Sequence, residues 1–169
     1  MRSDEALDIR HEARGVDRSM RKTLWDDRAR DNLLHRIAAL TPDAPAQWGR
    51  MCADEMLAHA IAGMRLAYGE IETVPRPGPF RYWPLKYLFV YWLPFPRHVR
   101  APRELLTRGR ITPEWDAHVT GLRALIADFP NRAQTAQWAV HPILGPLSGQ
   151  AWGALGWKHI DHHLRQFGV

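Results

Sequence analysis

The sequence predicts an all-α protein: a four-helix bundle whose second and third helices are joined by a long crossover rich in proline and aromatic residues. Three observations predict it. Trp115, Val119, Leu122, Ile126 and Phe129 recur at spacings of four and three, the interval at which one face of an α-helix repeats. Trp152, Gly156, His159 and His163 keep a four-three-four rhythm near the other end of the chain. Prolines and small polar residues then cut the sequence into pieces of helix length. At 169 residues the chain suffices for one domain with a sizeable core.

The first helix is expected near 26–40. Asp26 or Asp27 can cap it by accepting orphan backbone N–H groups, Leu33, Leu34, Ile37 and Leu40 supply its apolar face, and Thr41-Pro42 stops it. The second is expected near 53–68, where Met56, Ala60, Gly63 and Ala67 form one stripe and Leu57, Ile61, Met64 and Tyr68 another. Asp54 and Glu55 suit the positive end of its dipole, and Cys52 reads as a small residue packed near its start. His59 lies beside both stripes, on the buried side. Residues 69–111 form the crossover, with seven prolines and a short apolar helix near 84–92. A structureless loop of that length would be unusual in a compact domain, so the crossover is expected to pack over a side or end of the bundle. Thr112 and Pro113 open the third helix (113–129), and Pro130 ends it. A connection through residues 141–147 leads to Ser148, the cap of a last helix reaching Phe167 and stopping at Gly168.

Charge divides the chain unevenly. Residues 1–19 are expected to be a charged, weakly ordered extension, and Met20 ahead of Lys22-Thr23-Leu24-Trp25 reads like a natural start. Residues 1–20 carry net −1 within a total of +5, so the excess arginine lies beyond them. It is scattered rather than clustered, which argues for a solvated surface and against nucleic-acid binding. The single cysteine excludes an internal disulfide and a CxxC motif. There is no apolar signal segment at the start, and the stretch from Leu85 to Phe95 is too short to span a bilayer, so a cytoplasmic protein without a membrane partner is expected.

The chemistry lies in Lys158-His159-Ile160-Asp161-His162-His163. His159 and His163 occupy positions where a bundle normally places leucine, and burying each unpaired would cost about 1–3 kcal/mol. Their i,i+4 spacing sets both rings on one helix face, able to grip a single ion. His59 supplies a third ligand from the second helix, and three neutral imidazoles with an open fourth position make a catalytic-type site. His162 is expected to pack or hydrogen-bond beside them. Asp161 points elsewhere and pairs with Arg165 on the surface. His141 is a loop hydrogen-bonder or a pocket residue, and Trp152 is a pocket candidate. His35, His98 and His118 are read as surface or satisfied core histidines. Nucleophile elbows, phosphate-binding glycine loops, HExxH and paired carboxylates are all missing from the sequence, and no residue stands out as a general base.

Three stretches are similar to the DinB-like superfamily of metal-binding four-helix proteins, and more narrowly to an uncharacterised branch of it. They are Lys22-Thr23-Leu24-Trp25, Met56-Leu57-Ala58-His59, and the run from His141 to Ser148 together with Lys158 to Gly168. The likeness covers about residues 20–169. It implies an up-down-down-up topology and a metal held by one histidine of the second helix and an HxxxH pair of the last, here His59, His159 and His163. Relatives of that kind include thiol-dependent S-transferases and a maleylpyruvate isomerase. The implied function is therefore that of a transferase or isomerase-like enzyme using a divalent ion (Zn, Ni or Fe) on a small thiol or electrophile. Its partners would be a small-molecule substrate and a low-molecular-weight thiol, with a homodimer left open. The alternative is a non-enzymatic, stress-associated module that the metal holds together.

Overall fold

The computed structural model describes residues 22–76, 78–97, 114–134 and 136–169. The proposed extension at 1–19, the Thr112-Pro113 helix start, His98 and the latter part of the crossover lie outside the described residues. The fold is mostly helical. In chain order it contains α1 (Asp27–Ala39), α2 (Ala53–Ala67), a 3-10 turn (Pro79–Arg81), α3 (Leu85–Tyr91), α4 (Trp115–Asp128), a second 3-10 turn (Phe129–Asn131), a pair of two-residue strands, and α5 (Gly149–Gln166).

The helix starts follow the expected chemistry. Of the two candidate caps of α1, Asp26 does the work: its Oδ1 accepts the Ala29 N–H at 2.7 Å. Ser148 caps α5 through the Ala151 N–H. Cys52 holds the N-cap position of α2, where its backbone N–H donates to Glu55 Oε2. The four long helices share one core. α1 packs on α4 and α5, and α2 packs on the same two. Leu33 and Ile37 of α1, Met56 and Leu57 of α2, Leu122 and Ile126 of α4, and Ile160 and Leu164 of α5 are all fully buried in it.

The connection before α5 departs from the sequence reading. It contains a small antiparallel pair, β1 (Val140–His141) with β2 (Gly145–Pro146), in which Val140 faces Pro146 and His141 faces Gly145. Two-residue strands carry too short a pattern to be read from alternation. Asp161 is a second departure. Arg165 does reach it at i,i+4 (3.0 Å), but Asp161 is buried rather than on the surface, because Arg36 of α1 also donates to it at 2.7 Å. Arg36 further donates to the Val169 carbonyl, fastening α1 to the end of α5.

α5 approaches its neighbours closely because it is rich in glycine. Trp25 lies against Gly153 and donates its indole N–H to the Gly149 carbonyl at 2.8 Å. A Cβ at Gly153 would fall within the Trp25 ring and 2.8 Å from Thr23 Oγ1. In a free helix Gly→Ala is stabilising by about 1 kcal/mol; at this position overpacking reverses the sign. Gly153→Ala is expected to destabilise by about 1–3 kcal/mol in urea denaturation. An unchanged or raised midpoint would show that the Trp25 contact is loose.

Candidate metal centre

His59 lies in the middle of α2, and His159 and His163 lie one turn apart on α5, which packs against α2. The three rings meet edge to face with centroids 4.8–4.9 Å apart. His159 Nε2 is 3.0 Å from His59 Nε2 and 3.1 Å from His163 Nε2. Nitrogens bound tetrahedrally to one ion at 2.0–2.1 Å would stand about 3.3 Å apart. The observed separations fall within a few tenths of an ångström of that edge, and one ligand atom from each residue lies within 4.8 Å of the others. These three histidines can hold a metal ion.

The surroundings fix which nitrogen each ring offers. Gln166 donates its Nε2 to the Trp48 carbonyl at 2.6 Å, which leaves its Oε1 as an acceptor. That oxygen lies 2.9 Å from His163 Nδ1, so His163 carries its proton on Nδ1 and presents a bare Nε2 to the cluster. Such a partner on the far nitrogen is how metal-binding histidines are oriented. Gly63 makes room for the central ring: a Cβ there would stand 3.2 Å from His159 Cε1 and Nδ1. His59 and His163 are buried and His159 is partly buried.

The other candidates sort themselves around this centre. His162 offers no ligand atom to the cluster; its half-buried ring packs against Trp48, Phe95 and His163, as expected of a neighbour. His141 accepts the backbone N–H groups of both Ile143 and Leu144 on Nδ1 at 3.1 Å, which makes it a loop hydrogen-bonder with its proton on Nε2. It also stands near enough to His159 to oppose protonation there, and it packs on Trp152 at 5.5 Å. Trp152 is buried and its indole donates to the Ala139 carbonyl. His35 is exposed, and His118 is paired with buried Asp54 at 2.7 Å.

The crossover meets the site differently than its ring content suggests. Tyr82, Trp83, Tyr87 and Trp92 are exposed. The ring that reaches the centre is Phe95, 5.5 Å from His159. It is held there by Lys158, whose ammonium sits over the Phe89 and Phe95 rings and donates to the Phe89 and Leu93 carbonyls at the end of α3. Burial lowers the Lys158 pKa to about 8. Gln166, Trp48, Phe95 and Gly63 were not found as site residues from the sequence. Gln166 had a usable signal, since it is i+3 from His163 on the same helix face.

No protein-family model, no curated protein and no solved structure matches the chain.

Burial and the neighbouring imidazoles keep His159 and His163 neutral. Burial lowers the His163 pKa to about 3, helped by His59. Burial again, and then His163 and His59, hold His159 well below its ordinary value, and burial lowers His141 to about 4. Neutral rings are the ligating form. In the unfolded chain these histidines take up protons near 6.5, whereas in the folded chain they resist, so below that pH the unfolded state binds more protons. Stability is therefore complete above about pH 6.5 and falls progressively toward pH 4. Urea midpoints of the metal-free protein across this range should fall with pH; a flat profile would mean that the rings protonate freely when folded.

A second expectation concerns the ligands themselves. His163→Ala should remove most bound metal on elemental analysis, and Gln166→Leu should weaken affinity about 10–100-fold by freeing the ring orientation. Unchanged metal content in His163→Ala would end the three-histidine assignment.

Proposed function

We propose that the chain is a DinB-like metal protein, with its four long helices in the up-down-down-up arrangement of that superfamily and one divalent ion (Zn, Ni or Fe) on His59, His159 and His163. In this reading it is a metal-dependent transferase or isomerase-like enzyme acting on a small thiol or electrophile in the cytoplasm. The observation that carries it is the convergence of one ring nitrogen from each of three histidines on α2 and α5, all within 4.8 Å of one another, with His159 Nε2 3.0–3.1 Å from the other two. The length between α2 and α4 supports the superfamily's crossover, and the HxxxH pair with a partner on α2 supports its ligand pattern.

Three neutral ligands leave a bound cation's charge uncompensated, which favours an anionic thiolate or hydroxide as the fourth ligand. When bound, the ion supplies Lewis acidity and lowers the pKa of a coordinated thiol or water. His59 and His163 would hold it from the buried side, and the approach of a small molecule would lie beside His159, the least buried of the three. Phe95 and Trp48, flanking His159 and His162, give that approach an apolar border of the kind small-molecule sites use.

One observation favours a second reading. The ligands come from two different helices, so an ion here also ties α2 to α5, as in a module whose metal is structural. His159→Ala separates the two. For an enzyme, thiol transfer to an electrophilic acceptor drops to background while the metal-free melting temperature stays near that of metal-free wild type. For a structural module, wild type shows no turnover with any divalent ion tried. Its stabilisation by metal, about 2.7 kcal/mol at a hundredfold excess over Kd, disappears in the variant.

A further inference from the structure

The outer face of the crossover has a composition that the metal centre does not use. Between Glu72 and Glu104 the sequence holds no carboxylate, and it holds Arg76, Arg81, Lys86, Arg97, Arg100 and Arg103. Within this stretch α3 turns Phe89 and Val90 toward the protein, with Val90 buried and the Phe89 carbonyl bound by Lys158 of α5. Its other side carries Tyr87, Leu88 and Trp92, a helical arc continued by Tyr82 and Trp83 before the helix. These are large apolar groups left in water: Trp83 is 79% exposed, Trp92 68% and Tyr82 68%. Lys86 lies at the border, donating to the Pro146 carbonyl at 3.0 Å, and Arg81 packs against Gly145 beside it. An exposed apolar surface of this extent marks an interaction site.

We infer that this face docks on the surface of an anionic lipid bilayer, with the tryptophans and tyrosines seated at the headgroup level and the surrounding cations on lipid phosphates. Three features select this occupant. Tyr82, Trp83, Tyr87 and Trp92 are each more exposed than Leu85, Leu88 and Leu93 of the same stretch, and an apolar ring with a polar edge fits the boundary between acyl chain and headgroup. The charged groups of the segment are all cationic in sequence, and Arg81 and Lys86 are those placed beside the rings among the described residues, which an anionic surface complements. A second copy of the chain fits poorly: a two-fold contact through this face would set Arg81 and Lys86 near their own copies with no carboxylate from the segment to offset them. No helix among the described residues is long and apolar enough to cross a membrane, and lying on one requires none. The proposal runs against the sequence-based expectation of no membrane partner, and it stands independently of whether a metal is bound.

The test is flotation of the full chain with phosphatidylcholine vesicles, made with and without phosphatidylglycerol. Wild type is expected to float with the anionic vesicles only, less so as salt is raised. Trp83→Ala/Trp92→Ala is expected to stay in the dense fraction, with helical circular dichroism and metal binding unchanged. Arg81→Gln and Lys86→Gln should each weaken binding roughly fivefold, and they decide the matter if the tryptophan variant folds poorly. The inference is overturned if wild type ignores anionic vesicles at low salt, or if the glutamine variants bind as wild type does. It is also overturned if sedimentation shows a dimer that the tryptophan changes dissociate, which would give the face to a second copy.

Discussion

Three imidazoles share a space between α2 and α5, and the cost of keeping them there governs much of the surrounding structure. Each ring nitrogen removed from water needs a partner. The protein answers on one side with Gln166, whose Oε1 accepts a hydrogen bond from His163 Nδ1 and whose Nε2 donates to the Trp48 carbonyl. On the other side the three Nε2 atoms are turned toward one another, an arrangement that water-free packing alone does not favour and that a cation would satisfy. Gly63 leaves room for the His159 ring, and Phe95 closes over its edge. The loop between α1 and α2 and the crossover are thus both drawn to the same point.

The helices and the ligands were legible because both follow the 3.6-residue period. Core leucines and isoleucines on α1, α2 and α4 announce their own faces, and His159 and His163 were conspicuous for standing in line with Trp152 and Gly156. Contacts between elements remote in sequence left no such trace. Trp48 belongs to an irregular segment with no period to read, and its bond to Gln166 runs through its backbone carbonyl, which any residue would provide. Phe95 was one aromatic among eight in the crossover, and only the Lys158 contacts distinguish it from exposed Trp83 and Trp92. Asp161 was placed by angle correctly away from the histidines, but its burial depends on Arg36, a residue 125 positions away.

Lys158 occupies a junction. Its neighbour in sequence is a candidate ligand, while its own ammonium grips the end of α3, so the crossover is joined to the ligand-bearing helix by one side chain. The inner side of α3 serves that joint, and the outer side is left to tyrosines and tryptophans. The two sides of a seven-residue helix are thereby subject to separate demands: packing on α5 within, and contact with the surroundings without.

The glycines of α5 have a consequence for the order of assembly. Gly149, Gly153 and Gly156 admit Trp138, Trp25 and Leu24 to close range, yet each interior glycine lowers intrinsic helicity by about 1 kcal/mol relative to alanine. A run of eighteen residues with such interruptions and four β-branched or imidazole-bearing positions has little tendency to coil into a helix alone. It becomes one by docking, so His159 and His163 reach the same face only once Trp25 and Leu24 are seated. The metal grip is not a preformed local motif to which a fold was added: a chain in which α5 is undocked carries the histidines without the site.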